Sequence, residues 1–299
     1  DPYAWRRAAD LRIMAVSSPE GGPMGAIDST LSLAEAWQAL LHAAHPATVT
    51  AAVADLSLSP AGWRAERPVS PAAGELLDCL FPLATRPGRL AIAQLGQSLD
   101  GRIATESGHS HFINGPESLV HLHRLRALMD AVVVGAGTAS EDDPRLTVRH
   151  VAGPHPVRVI LDPRGRVTPD RLLLRDPEAP TLHLHGEGAC PEGAAGHHVT
   201  RLALPLAEGG FAPAAVLDAL AARGLERVLI EGGGITVSRF LEAGVLHRLH
   251  LLMAPLLIGS GRPGLAMTPI ATLDEARRPA SRTFRCGDDT LFDLDLDTP

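Results

Sequence analysis

The stretch "RVLIEGGGITVSRFLEAG", residues 227–244, decides how this chain is read. "RVLI" suits a buried strand. It closes on an acid, Glu231, and three glycines then lead straight into a segment with apolar residues at helical spacing. A buried strand passing through glycine into a helix is the first half of a βα unit. The same texture runs outward on both sides. Upstream, "RLAIAQLG" (89–96), "AVVVGAG" (131–137) and "VRVILD" (157–162) read as strands, "APTLHLH" and "HHVTRLAL" as weaker ones, and "PESLVHLHRLRALMD" (116–130) and "PAAVLDALAARG" (213–224) as helices. Downstream, "LHRLHLLMAP" (246–255) and "DTLFDLDL" (289–296) complete the strands. Apolar strands alternating with helices predict an α/β fold, a mostly parallel central sheet with helices on both faces. Ligands bind such sheets beyond the carboxyl ends of the strands.

A length of 299 residues allows one large domain, or one with a smaller companion. Residues 1–88 differ in texture: two amphipathic helices, "LAEAWQALLHAA" and "AGELLDCLFPLA", are separated by Pro/Ser/Ala-rich sequence, and "ATRPGR" reads as a linker. The expected division is a small, partly helical region of unassigned role over 1–88 and the α/β domain over 89–299. The net charge is −7, aromatic residues make up only 3%, and every Lys or Arg is arginine, so nucleic acid is not the expected partner. A few arginines still suffice for small anions. Cys79, Cys190 and Cys286 are isolated and no CxxC occurs, which fits a reducing cytoplasm. The apolar runs fall short of a membrane span.

Three strand ends are rich in glycine or polar groups: 98–117, "SLDGRIATESGHSHFINGPE"; 135–149, "GAGTASEDDPRLTVR"; and 231–239, "EGGGITVSR". In the last, glycines before a helix either make a tight turn or let a phosphate reach the free N–H groups of the helix. The spacing is neither GxGxxG nor a P-loop. On the 116–130 helix, Leu119, Leu122, Leu125 and Met129 mark an apolar stripe, and Arg126 borders it. An arginine turned inward needs an anionic partner; turned outward, it pairs with Asp130 four residues on. Arg149 has the same ambiguity. His109 and His111 alternate in a loop, and no metal site is expected. Asp142–Asp143–Pro144 suits a turn.

From about residue 89 onward the chain resembles the reductase domain of the riboflavin-pathway deaminase–reductase family. The resemblance is carried by "SLDGRIA", "SGxSxxI", "LRALMDAVVVGAGTASEDDPRLTVR", "RVILDPRGRV" and "LIEGGG…LLxAPLLIGSG", in family order. It implies a dihydrofolate-reductase-like fold and an NADPH-dependent 5-amino-6-(5-phosphoribosylamino)uracil reductase activity, ribosyl to ribityl, in a homodimer. It implies that Ser110, Arg126, Leu146, Arg149 and Glu231 meet the substrate, and that Gly96, Phe112, Thr138 and Asp142 meet the cofactor. Residues 233–239, among them Gly233, Gly234, Ile235 and Thr236, would cradle the pyrophosphate. Arg164, or Arg166 beside it, would take a 2′-phosphate or serve only the turn. Two features depart from the family pattern. Gln94 stands where these reductases usually carry a lysine, and residues 1–88 hold neither the HxE nor the PCxxC of the zinc deaminase. Gln94 shares a strand face with Gly96 and is expected at the pocket, and it opens alternatives: a different pyrimidine or pterin-like substrate, or a non-catalytic nucleotide-binding protein on the same fold.

Overall fold

The computed structural model describes residues 30–47, 49, 53–110, 113–193 and 196–297. Helix α1 (Leu33–Ala44) starts at Ser32, which forms a capping box with Glu35. A hairpin of β1 (Leu56–Ser59) and β2 (Gly62–Ala65) follows, then α2 (Pro71–Ala84), β3 (Leu90–Ser98), β4 (Arg102–Thr105) and α3 (Pro116–Leu128). The chain continues through β5 (Ala131–Gly135), α4 (Ala136–Glu141), β6 (Val157–Asp162), α5 (Leu172–Arg175), β7 (Thr181–Gly186), β8 (Val199–Leu204) and α6 (Pro213–Ala221). It ends with β9 (Arg227–Ile230), α7 (Gly234–Glu242), β10 (Arg248–Ala254), β11 (Gly261–Pro263), β12 (Ala280–Cys286) and β13 (Asp289–Asp295).

Nine strands form one sheet in the order β12-β13-β10-β3-β9-β5-β6-β7-β8. Every pair from β10 to β8 is parallel; only β13 is reversed, pairing antiparallel with β10 and with the edge strand β12. The expected α/β architecture with a mostly parallel sheet is the one the chain adopts. Alternate residues of β3 separate two cores. Leu90 and Ile92 join α1, α2 and α3 on one face, and Ala91, Ala93 and Leu95 join α6 and α7 on the other. The inner strands are apolar on both sides for that reason.

The core runs across residue 88/89 without a break. Leu40 and Leu77 pack in one cluster with Ile92 and Leu125. Trp37 Nε1 donates to Ala152 O at 2.8 Å, and Arg227 Nη2 donates to Leu83 O at 2.5 Å. Residues 31–84 thus form part of the layer that covers the α3 face of the sheet.

Helix α3 departs from its expected stripe. Leu125 and Met129 are buried, but Leu119 is 41% exposed. The inward positions include Ser118, His121, His123 and Arg126. The helix is covered by the sheet on one side and by the N-terminal layer on another, so its buried surface is wider than an apolar stripe, and polar groups enter it where they find partners. Its start is held from a distant strand. Gly115 offers no capping side chain, and Asp289 of β13 instead accepts hydrogen bonds from Gly115 N–H (2.9 Å), Asn114 Nδ2 (3.1 Å) and Ser118 Oγ (2.5 Å). Asp289→Ala would leave these donors without their acceptor in a buried site. We expect a loss of about 1–3 kcal/mol in a urea unfolding curve. An unchanged midpoint would show that α3 does not depend on this carboxylate.

Candidate active site

A cavity of about 1330 Å³ opens beyond the carboxyl ends of β3, β9, β5 and β6. That exceeds the usual range of roughly 300–1,000 Å³ for one drug-sized ligand. Leu119 and Leu122 of α3 line one wall, and the start of α7 lines the opposite one. The floor carries Gln94 and Gly96 of β3 and Glu231 at the end of β9.

The anionic partner of Arg126 lies within the protein. Its Nε donates to Glu231 Oε1 at 2.8 Å and its Nη2 to Glu231 Oε2 at 2.7 Å, a two-pronged pair in which both side chains are 7% exposed. Nη1 donates to Thr147 O at 3.2 Å. The inward alternative applies, with the anion supplied by the protein itself: Arg126 does not reach solvent beside Asp130, whose carboxylate instead accepts from the N–H groups of Glu226 and Arg227. Arg126 and Glu231 both line the cavity, but as one neutralised unit.

The three glycines after Glu231 have different causes. Gly232 has φ of +98°, where a side chain is strained. At Gly234 a Cβ would lie 2.1 Å from Gly264 O, so the close approach of that backbone excludes it. At Gly233 the nearest atom to a Cβ is Thr138 Oγ1 at 3.7 Å, which is ordinary contact. No packing or backbone reason internal to the fold requires glycine there. Gly233 N–H donates to Thr138 Oγ1 at 3.1 Å, tying α4 to the turn, and no side chain caps α7. Ile235 is 75% exposed, and it and Thr236 line the cavity. The helix therefore presents an uncapped N-terminus to the cavity, which favours an anion.

Gly96 is explained locally. A Cβ there would lie 1.9 Å from Asn114 Oδ1, in a carboxamide that Asp289 holds in place. Leu146 lines the cavity with φ of +57°, a conformation that costs a non-glycine residue roughly 1–2 kcal/mol. The preceding Asp143 helps to fix the loop: its Oδ1 accepts from Leu172 N–H at 2.7 Å. Such strain is found where a loop shapes a site. Ser110, Thr138 and Asp142 also face the cavity. Phe112 falls outside the described residues.

Two arginines lie outside the lining. Arg149 is exposed, with its N–H on His123 Nδ1 (2.9 Å) and its Nη1 on Thr147 Oγ1 (3.0 Å). Partial burial, with the neighbouring Arg126 and Arg145 charges, pulls it below the usual arginine range, so the surroundings favour an anion. Arg164 is exposed on a turn where Gly165 has φ of +66°, and the cavity is lined by Arg166 instead. The buried Asp162 sets this outcome by accepting the N–H groups of Arg166 and Val167, both at 2.9 Å. Sequence reading missed Asn114 and Arg262, which also line the cavity, as does Arg239 at the end of the 233–239 stretch. Arg239 binds the carbonyls of Gly209 and Phe211, and Arg262 pairs with Glu141 at 3.0 Å. Asn114 stood in the polar segment already singled out; Arg262 gave no local signal.

A family model described as the RibD C-terminal domain matches residues 89–283. A curated 2,5-diamino-6-ribosylamino-4(3H)-pyrimidinone 5′-phosphate reductase of Methanothermobacter thermautotrophicus is 33% identical over 209 residues, 68% of this chain and 95% of that protein. The riboflavin biosynthesis protein RibD of Aquifex aeolicus is 35% identical over 191 residues, and there the chain spans about half the relative, 52%. The crystal structure of a bifunctional deaminase/reductase from Thermotoga maritima shares the fold with a TM-score of 0.58 at 23% identity, over 76% of this chain and 64% of that one. The yeast riboflavin biosynthesis reductase Rib7 does so with a TM-score of 0.56 at 18% identity, over 70% and 90%. The mostly parallel α/β sheet is the fold that this chain shares with those two riboflavin-pathway structures. Within that fold class the chain belongs to the RibD C-terminal domain family, the pyrimidine reductases of riboflavin biosynthesis, and it is an oxidoreductase.

Arg126→Met would strand Glu231 in a buried site. Breaking a buried pair from one side costs about 3–5 kcal/mol, whereas an apolar replacement of both partners is often neutral. We therefore expect Arg126→Met to unfold well below the native chain and Arg126→Met/Glu231→Leu to recover most of the loss. Equal losses in the two variants would show that the pair is not the determinant.

Proposed function

We propose that this chain is an NADPH-dependent reductase that converts the ribosyl group of a phosphorylated ribosylaminopyrimidine into a ribityl chain. The observation that carries this reading is Gly233: in a chain of this family, it is the position at an uncapped helix N-terminus, facing a cavity of two-ligand size, where glycine has no internal cause. When bound, NADPH supplies the hydride that C1′ of the open-chain imine accepts. The chain's own residues bind and orient. The N–H groups at the start of α7 hold the pyrophosphate, with Thr138 fixing the turn, and Asp142 lies on the same side of the cavity. Arg166, whose guanidinium has no partner among the described residues, takes the 2′-phosphate. Leu119, Leu122 and Leu146 exclude water from the reacting face. Ser110 and Glu231 contact the substrate. With Arg126 committed to Glu231, the substrate phosphate falls to Arg149, where Arg145 adds positive charge. The protein works in the cytoplasm as a homodimer. No helix among the described residues is long and apolar enough to cross a membrane.

The first test is oxidation of NADPH with 5-amino-6-(5-phosphoribosylamino)uracil or its 2,5-diamino-pyrimidinone counterpart. Gly233→Val should remain folded and lose NADPH binding, and Arg166→Ala should lose the preference for NADPH over NADH. Normal cofactor affinity in a folded Gly233→Val chain would remove the pyrophosphate site. A second reading, a different pyrimidine or pterin-like substrate, is favoured by Gln94, which brings no charge to the floor; turnover of such a substrate, with both pyrimidines inert, would establish it.

Arg149→Ala should weaken binding of the phosphorylated substrate by about 1.5–3 kcal/mol, the range for hydrogen bonds to charged groups, with cofactor affinity unchanged. Loss of NADPH affinity with substrate binding intact would move the phosphate site elsewhere.

A further inference from the structure

Four neighbouring strands carry a row of polar side chains, of which Gln94 and Glu231 line the cavity floor. His250 of β10 stands opposite Asp293 of β13 on one side and Gln94 of β3 on the other. Ala93 stands opposite Ile230, so Gln94 and Glu231 follow side by side. Three members of the row have their nearest partners within the protein. Glu231 gives both oxygens to Arg126. His250 Nδ1 lies 2.9 Å from His121 Nε2, and its Nε2 lies 3.4 Å from Asp293. Asp293 also takes Arg248 and Arg282. Gln94 differs: it is 9% exposed, it lines the cavity, and its carboxamide makes no hydrogen bond among the described residues. A carboxamide that faces a cavity with no protein partner is free to pair with what fills the cavity.

The geometry points to Gln94 as the residue that selects the substrate's ring, by pairing with an uncharged lactam edge, an N–H next to a C=O. A carboxamide offers one acceptor and an N–H donor in one plane, and a lactam edge is its complement. Its neighbours leave it little choice. Glu231 and Arg126 neutralise each other, and His121 is held well below the usual histidine range by burial, with His250 and Arg124 adding to it. The floor therefore reads hydrogen-bond pattern rather than charge. This inference rests on the proposed reductase reading.

The test is calorimetric binding of the phosphoribosylaminopyrimidine to the cofactor-free chain, as native protein, Gln94→Leu and Gln94→Glu. NADPH binding is measured separately for all three. Gln94→Leu should bind the pyrimidine at least about tenfold more weakly than native at every pH, with NADPH unchanged. Gln94→Glu lacks the donor when ionised and regains a donor and an acceptor when protonated. The neighbouring Glu231 opposes its ionisation, and Arg126 favours it. Relative to native at the same pH, it should therefore bind poorly near about pH 8 and recover near about pH 5.5. Native-like binding by Gln94→Leu, equal and pH-independent losses in both variants, or no binding by the native chain would each overturn the assignment. Turnover is the separate measure of the reductase reading: binding as expected without turnover would sink that reading and leave Gln94 standing.

Discussion

The pairing of Arg126 with Glu231 is the constraint on which the site depends. It joins the middle of α3 to the carboxyl end of β9, and through Thr147 O it fixes the loop that carries Leu146. Neither partner is tolerable alone at 7% exposure. The fork geometry accepts one orientation of the carboxylate, so the distance between helix and strand is set as well as their contact. The cavity lies between these elements. Its width follows from an interaction that neutralises itself, and the floor between α3 and α7 is therefore polar without being charged.

The α/β character was legible because parallel strands buried on both faces must be apolar throughout. "AVVVG" and "RVLI" carry none of the polar alternation that a half-exposed strand would show. The edges were not legible. Strand β12, "ASRTFRC", alternates exposed and half-buried residues and carries two arginines, so nothing in it separates strand from loop. Helix α4, "AGTASE", is short, and its first two residues read as the end of the strand before it. The stripe on α3 was misplaced for a different reason. Periodicity identifies one apolar face, but this helix meets three surroundings: the sheet, the N-terminal layer and the cavity. Leu119 and Leu122 belong to the cavity, where an apolar wall serves a ligand as well as it would serve a core.

Glycine shows the same limit at single-residue scale. "EGGG" suggests either a tight turn or a phosphate cradle, and the sequence does not separate them. The structure divides the three between the readings. Gly232 answers to its backbone angle and Gly234 to the carbonyl of Gly264, both fold requirements; Gly233 meets neither constraint. Gly96 belongs with the fold requirements, since Asn114 fills the space of its side chain. Most members of a glycine motif can thus serve the turn itself.

The arginines follow a related logic. With no lysine in the chain, every fixed side-chain cation is a planar fork, and forks are easily immobilised. Four line the cavity: Arg126, Arg166, Arg239 and Arg262. Three are tied down, to Glu231, to the carbonyls of Gly209 and Phe211, and to Glu141. These three shape the walls and contribute little free charge. Arg166 has no partner among the described residues, and Asp162 fixes its backbone, so its position is defined while its charge is not neutralised. A cavity whose cations are mostly neutralised holds anionic ligands at a few defined points. Among the cavity's described arginines the free charge is therefore confined to Arg166, and the uncapped start of α7 adds the partial charge of a helix N-terminus.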